Sequence, residues 1–373
     1  MKKPGLYLHI PFCRTKCPYC GFFSVPSARI IPRWLNALEK EIIHYSERFH
    51  TFDSLYLGGG TPTVLPMDAI ERIMGLVRSH LSIYNDLETT IEANPQDLCQ
   101  ENTNALKELG FNRVNVGVQS FDDSVLRFLG REHSADEAEA AIENLRSAGI
   151  GNIGIDLIYG IPYQPLDAWK KTLKHAIALR PEHVSCYHLT FEKGTLFEKK
   201  RQKGEIDPID EDMERVFFLE TSRLLEENGY LHYEISNFAR ENRYRSWHNM
   251  KYWNHVPYLG LGPSAHSFQG SRRWWNFRSV RKYCELLEQG RAPVEGYEEL
   301  TDEQLTLEMI ALGLRTITGV ELGAVSHAPE QKEALSMLED GGFLMIKNGM
   351  AIPTKKGFLV ADRLPLYFMP QTS

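Results

Sequence analysis

Cys13, Cys17 and Cys20 crowd three thiols into eight residues, directly after the apolar run Leu6 to Ile10, which alternates like a strand. Half of the six cysteines in the chain sit there. No other feature limits the fold so tightly. A strand must end in a loop whose thiolates, at gaps of three and two residues, can converge on one inorganic centre without help from the rest of the chain. A disulfide would pair two of them and strand the third. Structural zinc takes four protein ligands, and the nearby fourth is His9, which an extended strand holds away from the loop. An iron–sulfur cube with three protein ligands keeps one iron open. Reduced cysteines with no metal are the remaining reading.

The other three cysteines, Cys99, Cys186 and Cys284, are scattered and read as core or incidental residues of a reducing compartment. The expected location is therefore cytoplasmic. No apolar run approaches the roughly eighteen residues that span a bilayer, and the start, MKKPGLYLHIPFC, meets polar and cysteine residues too soon for a signal peptide. A net charge of −7 argues against a general nucleic-acid or anionic-membrane surface. At 373 residues, 42% hydrophobic and 24% charged, the chain has enough material for one large domain and a smaller one.

Strand-like runs alternate with amphipathic helical stretches from Leu6 to about Thr190. The runs are LYLHI, SLYLGG, TTIEAN, RVNVGVQS, IGIDLIYG and HVSCYHLT, and the helical stretches include Pro32 to Phe49, Met67 to His80, Ala135 to Ala148 and Asp167 to Leu179. Six βα units fall short of a closed eightfold barrel, so the expected class is α/β with an incomplete (β/α)6 barrel. Chemistry in such a barrel sits at the C-terminal strand ends. Those ends are polar or glycine: the cysteine loop, then Gly58, Gly59, Gly60 and Thr61, then Glu92 and Asn94, then Gln119, with Asp156 on the fifth strand. One ligand could touch them all. The glycines let backbone groups approach a ligand closely, although a tight turn before Pro62 explains them too. Glu92, Gln119 and Asp156 offer acceptors and an amide to hydroxyl or amino groups, and Arg131 offers a planar fork to a carboxylate. Each strand-end acid has the plain alternative of capping the next helix.

C-x3-C-x2-C with an aromatic, Tyr19, just before the third cysteine resembles the cluster loop of the radical S-adenosylmethionine superfamily. The resemblance implies a [4Fe–4S] cluster on Cys13, Cys17 and Cys20. Its open iron would chelate the amino and carboxylate groups of S-adenosylmethionine, so that one electron can cleave the sulfonium to a 5′-deoxyadenosyl radical. The pattern across the strand ends resembles the coproporphyrinogen oxidase-like branch of that superfamily. By that likeness Tyr7, Gly59, Gly60, Thr61, Glu92, Gln119, Arg131 and Asp156 are S-adenosylmethionine contacts, with Tyr19 beside the cluster.

Residues 191–210 are charged and glycine-punctuated and read as a solvated connection. A helix is expected from Met213 to Glu227, with Val216, Leu219, Leu224 and Leu225 on its apolar face and Gly229 ending it. Between Ala239 and Arg278 stand nine aromatics, seven basic residues and a single acid, Glu241. Flat rings among guanidinium groups suit something planar and anionic, either a nucleobase with its phosphate or a porphyrin with its propionates. Within that stretch His248-Asn249-Met250-Lys251-Tyr252-Trp253 resembles the H-N-x-x-Y-W marker of the haem chaperones of this branch, which implies His248 as an axial ligand of haem iron; His255 and His266 are possible second ligands. After Pro293 a helix from Thr301 to Arg315, another from Gln331 to Leu338, a hairpin on Asn348-Gly349 and a last helix resemble a winged helix. With six Lys or Arg against nine Asp or Glu over residues 301–373, it lacks the charge to attract phosphate and reads as a covering or docking domain.

The expected organisation is thus a partial barrel over 1–238, an aromatic, basic linker over 239–298 and a winged-helix-like domain over 299–373. The resemblance implies a carrier that hands haem to recipient proteins such as respiratory haemoproteins, with an electron donor for the cluster and no side chain singled out as catalytic. The alternative is an oxygen-independent coproporphyrinogen III oxidase, which would decarboxylate two propionates. That oxidase has a further cysteine two places after the third cluster cysteine, where this chain has Phe22, and a longer arm than the twelve residues before Cys13. A nucleic-acid-modifying radical enzyme is the third reading, disfavoured by the acidic balance.

Overall fold

The computed structural model describes residues 3–26, 28–49, 51–326 and 328–369. Six βα units build its first half: β1 (Gly5–Ile10), α1 (Ile31–Ser46), β2 (Phe52–Gly59), α2 (Met67–His80), β3 (Ile83–Ala93), α3 (Gln100–Glu108), β4 (Arg113–Gln119), α4 (Asp123–Phe128), α5 (Ala135–Ser147), β5 (Ile153–Tyr159), α6 (Leu166–Ala178) and β6 (His183–His188). The strands pair in parallel and in chain order. Their period of two divides the work. Leu6, Leu8, Ile10, Leu55, Leu57, Ile91, Val114, Val116, Ile155 and Leu157 pack against the helix layer in one core with Leu38, Ile70, Ile142 and Trp169. The alternate positions, Tyr7, Tyr56, Glu92 and Asn115, meet one another on the concave side. The partial barrel expected from the alternation of runs is therefore present, with a polar lumen.

Three stretches differ from the sequence expectation. Residues 191–210 include a helix, α7 (Leu196–Gln202), capped by the Thr195 side chain, and they bury Phe197 and Ile206 in a small core with Tyr19, Phe128, Leu129 and Ile161. Two apolar side chains suffice to pin the segment, and the surrounding charges hid them. The next helix, α8 (Glu211–Glu227), is turned by about one position: Phe217, Phe218, Leu224 and Leu225 face inward, while Val216 and Leu219 are 41% and 36% exposed. Two adjacent phenylalanines outweigh one valine and one leucine in buried area. Finally, residues 239–298 are a sheet edge rather than a linker.

After β7 (Leu231–His232) and β8 (Asn237–Ala239), the chain runs through α9 (Trp247–Trp253), β9 (Tyr258–Leu261), β10 (His266–Gln269), β11 (Arg272–Asn276), α10 (Val280–Glu288) and β12 (Val294–Glu299). β8 and β7 extend the sheet beyond β6, and β9 pairs in parallel with the opposite edge at β1, Gly5 facing Tyr258. With β10, β11 and β12 following antiparallel, the sheet reaches twelve strands in the order β12-β11-β10-β9-β1-β2-β3-β4-β5-β6-β8-β7. One carboxylate fastens the added edge. Glu41 on α1, fully buried, accepts hydrogen bonds from the Gly262 amide at 2.8 Å, the Asn276 side chain at 2.6 Å and the Tyr283 hydroxyl at 2.6 Å. Burial pushes its carboxyl up to about 7 despite those donors.

The last module holds α11 (Asp302–Gly313), β13 (Val320–Glu321), α12 (Leu322–Val325), α13 (Pro329–Asp340), β14 (Leu344–Lys347), β15 (Met350–Pro353) and α14 (Lys355–Phe358). Thr301 and Gln304 close a capping box on α11. The β14–β15 turn has positive φ at both Asn348 and Gly349, as a two-residue type I′ hairpin requires. The strands order β13-β15-β14 over a separate core of Ile310, Leu314, Leu335, Leu338, Leu344 and Phe368, the expected winged-helix-like arrangement. Lys355 ties it to the barrel through Glu226 at 2.8 Å and His232 Nδ1 at 2.7 Å, and Glu308 receives Arg273 at 3.0 Å.

Candidate functional site

β1 delivers the chain to the mouth of the barrel, where Cys13, Cys17 and Cys20 lie unbonded and partly exposed on one loop. Among the described residues no three His, Cys, Asp or Glu side chains are gathered for a single metal ion. The loop is held from four sides. Val25 returns beside it, its amide donating to Pro11 O at 2.8 Å. Arg14 pairs with the buried Asp97 at 2.7 Å, Thr15 donates to Glu132 at 2.6 Å, and the Phe197 amide of α7 donates to Pro18 O at 2.9 Å. The Tyr19 and Phe197 rings are 6.3 Å apart. A Phe197→Ala variant is expected to free this flank, at a cost of about 3–5 kcal/mol for a buried ring, and to speed amide exchange of residues 16–20 in hydrogen-exchange mass spectrometry.

Two of the three sulfurs face hydrogen-bond donors. Arg131 Nη1 lies 3.6 Å from Cys17 Sγ, and the Thr61 hydroxyl lies 3.6 Å from Cys13 Sγ. Arg131 Nη2 donates to Asn94 Oδ1 at 2.6 Å and to Gly117 O at 2.8 Å, and Asn94 Nδ2 donates to Thr61 Oγ1 at 3.3 Å. Arg131 and Thr61, expected as ligand contacts, are thus brought beside the cysteines, and Asn94 joins them. Gly59 and Gly60 also have a packing reason. A Cβ on Gly60 would stand 2.4 Å from Phe12 O, and one on Gly59, where φ is +110°, 2.5 Å from the His9 ring. They let β2 close against the cysteine loop, with Thr61 N donating to Phe12 O at 2.7 Å.

Deeper in the lumen, Glu92 accepts from the Tyr56 hydroxyl at 2.7 Å and from the Gly59 amide at 3.1 Å. Burial, reinforced by the neighbouring Asp156, pushes its carboxyl up to about 7; burial likewise pushes Asp156 up to about 6. Both stay partly exposed to the lumen. Tyr7 donates toward His9 Nδ1 at 3.1 Å, while His9 Nε2 meets Phe23 O at 2.9 Å, so His9 is occupied inside the wall and away from the thiols, as its strand position implies. Gln119 sits at a register shift between β4 and β5 with φ of +65°, a left-handed conformation that a non-glycine residue holds only under constraint.

These residues suit the groups the sequence implied. The buried Arg131 Nε has no hydrogen-bond partner among the described residues, the lumen carries two carboxylates of depressed acidity, and three thiols share one loop with sulfur-directed donors. A cationic, carboxylate-bearing ligand at the mouth would find partners there.

His248 is placed at the opposite end. It is 1% exposed, with Nδ1 2.9 Å from the Ser54 hydroxyl and Nε2 2.9 Å from the Tyr252 hydroxyl. Glu88 accepts from the Trp247 amide at 3.1 Å and the His248 amide at 2.8 Å, and Lys251 pairs with Asp53 at 2.5 Å. α9 therefore plugs the floor of the barrel, and in this conformation neither imidazole nitrogen is open to an outside iron. Burial pushes His248 down to about 3, so the ring is neutral. His255 turns to Glu308 at 3.2 Å, and His266 lies exposed against Trp275. Nor do the basic residues form one face: Arg240, Arg243 and Arg272 pair with Glu182, Glu241 and Glu299.

A model of the radical SAM superfamily matches residues 7–176. A Mycobacterium tuberculosis protein named as the heme chaperone HemW is 33% identical over 364 residues, 96% of this chain and 93% of its own length. The Bacillus subtilis protein of the same name is 36% identical over 84% of each chain. Among solved structures, the Escherichia coli coproporphyrinogen III oxidase HemN, a radical SAM enzyme, superposes with a TM-score of 0.86 at 25% identity, covering 98% of this chain and 90% of that one. With relatives of that name 33–36% identical over most of both chains and the superfamily model over residues 7–176, the chain belongs to the HemW family of the radical SAM superfamily.

Proposed function

We propose that this chain is a haem carrier, which binds haem and delivers it to recipient haemoproteins in the reducing cytoplasm, with a [4Fe–4S] cluster on Cys13, Cys17 and Cys20 and S-adenosylmethionine in the lumen mouth. The observation that carries the reading is likeness at 33–36% identity to proteins named as haem chaperones, across most of both chains. The cluster and S-adenosylmethionine together would supply one-electron chemistry at the mouth. The residues of this chain bind and orient there: Arg131 and Gln119 take the polar groups of the amino-acid moiety, while Glu92 and Asp156 accept from hydroxyls or an ammonium. The oxidase reading has the HemN likeness in its favour. Against it stands Phe22, 69% exposed where the oxidase carries a cysteine.

Haem ligation by His248 requires α9 to leave the floor, because both ring nitrogens are engaged in the packed state. Haem added to the purified chain is expected to give a Soret band that is altered in His248→Ala. An unaltered band would move the ligand elsewhere and leave the carrier reading standing. Conversion of coproporphyrinogen III to protoporphyrinogen IX under anaerobic, reducing conditions would overturn the carrier in favour of the oxidase.

A further inference from the structure

We infer that Arg131, Asn94 and Thr61 form one hydrogen-bond relay that sets the reduction potential of the centre held by the three cysteines, with Asn94 as its positioning residue. The inference rests on the cluster reading given above and adds to it a tuning role for residues that the wider pattern points only at a ligand.

The relay has a direction. Arg131 can only donate, so Asn94 Oδ1, 2.6 Å from Nη2, must accept. That fixes the amide of Asn94 with its nitrogen toward Thr61, whose oxygen receives it at 3.3 Å. With its lone pair so engaged, Thr61 turns its own proton to Cys13 Sγ, 3.6 Å away. The same guanidinium sends Nη1 to Cys17 Sγ at 3.6 Å. One cation thereby addresses two sulfurs, one directly and one through two neutral dipoles that all point the same way. Gly117 O, at 2.8 Å, holds the fork from its far side. Donors aimed at cluster sulfurs stabilise added negative charge and so raise the potential. The step in question is the uptake of one electron by a [4Fe–4S]2+ centre to give [4Fe–4S]+, with no bond made or broken and no proton moved.

Asn94→Asp is the sharpest test. A carboxylate still accepts from Arg131 but cannot donate to Thr61, whose proton then swings to the new oxygen and away from Cys13; the added charge acts in the same sense. Thr61→Val removes only the Cys13 branch and keeps the side-chain volume. The full chain and both variants are reconstituted anaerobically without S-adenosylmethionine, assayed for iron, and titrated with dithionite while the reduced signal is followed by electron paramagnetic resonance. Iron content should be equal in all three. The Asn94→Asp potential should be lower by at least a tenfold shift of the one-electron equilibrium, about 59 mV, and the Thr61→Val potential lower by a smaller step. Equal potentials at equal iron would overturn the relay while leaving the cluster reading intact. Failure of the unaltered chain to take up a cluster would overturn both, and the iron assay tells these apart. If Asn94→Asp does not fold, an unshifted potential in Thr61→Val is enough to reject the inference.

Discussion

Cys17→Ser, reconstituted anaerobically with iron and sulfide, is expected to hold about tenfold less iron than the unaltered chain, or less still, and to lose its brown absorbance. Loss of an outer partner alone costs a metal site 10- to 100-fold, and here a direct ligand is removed. Two remaining thiols cannot retain a cube on one loop. The effect should be specific, because the loop around Cys17 is fixed independently by Arg14–Asp97, Thr15–Glu132 and Pro18–Phe197. Cys99→Ser is the matching control. Cys99 is exposed at the start of α3, and its replacement should leave iron unchanged. Full iron in Cys17→Ser would remove the cluster assignment.

The second large effect concerns stability and its dependence on pH. Glu41→Ala strands three buried donors, Gly262 N, Asn276 Nδ2 and Tyr283 OH, and opens a cavity between α1 and the β9–β11 edge; the expected cost is about 4 kcal/mol. Because burial raises the Glu41 carboxyl from 4.5 to about 7, the folded state binds a proton that the unfolded state has released. Stability from this group is fully present below pH 4.5 and is lost as pH rises through 7, about 3 kcal/mol in all. Glu92 and Glu234, both raised to about 7, and Asp156, raised to about 6, add in the same direction. Urea midpoints should therefore fall between pH 5 and pH 8, and Glu41→Gln should flatten part of that slope. A slope that Glu41→Gln leaves unchanged would show that its carboxyl is not the one being titrated.

How much was legible beforehand depended on locality. All six parallel strands and the cysteine loop follow from patterns within about ten residues of chain, and the third and fourth strands end where Glu92 and Gln119 suggested, with Asp156 inside the fifth. What escaped the sequence was set by partners far away. β9 pairs with β1 across some 250 residues of chain, and a short YLGL run gives no hint of its neighbour. Phe197 and Ile206 sit among lysines and glutamates, so composition spoke of solvent while two side chains sought the cluster loop. The aromatic, basic stretch looked like one receptive surface because its acids were elsewhere: Glu182, Asp53, Glu299 and Glu298 arrive from other elements. His248 shows the same limit. Its motif was visible, but only Ser54, Glu88 and Asp53, all on the barrel strands, reveal that the motif folds into a stopper. The role of Asn94 had a faint signal, a polar residue two places after Glu92 on the same strand parity, and nothing to connect it with Arg131.

The stopper also couples two events. Ser54 and Tyr252 hold the ring nitrogens of His248, and Glu88 grips the first amides of α9, so any metal that takes this imidazole must break those bonds as it binds, and ligation and helix release become one linked equilibrium.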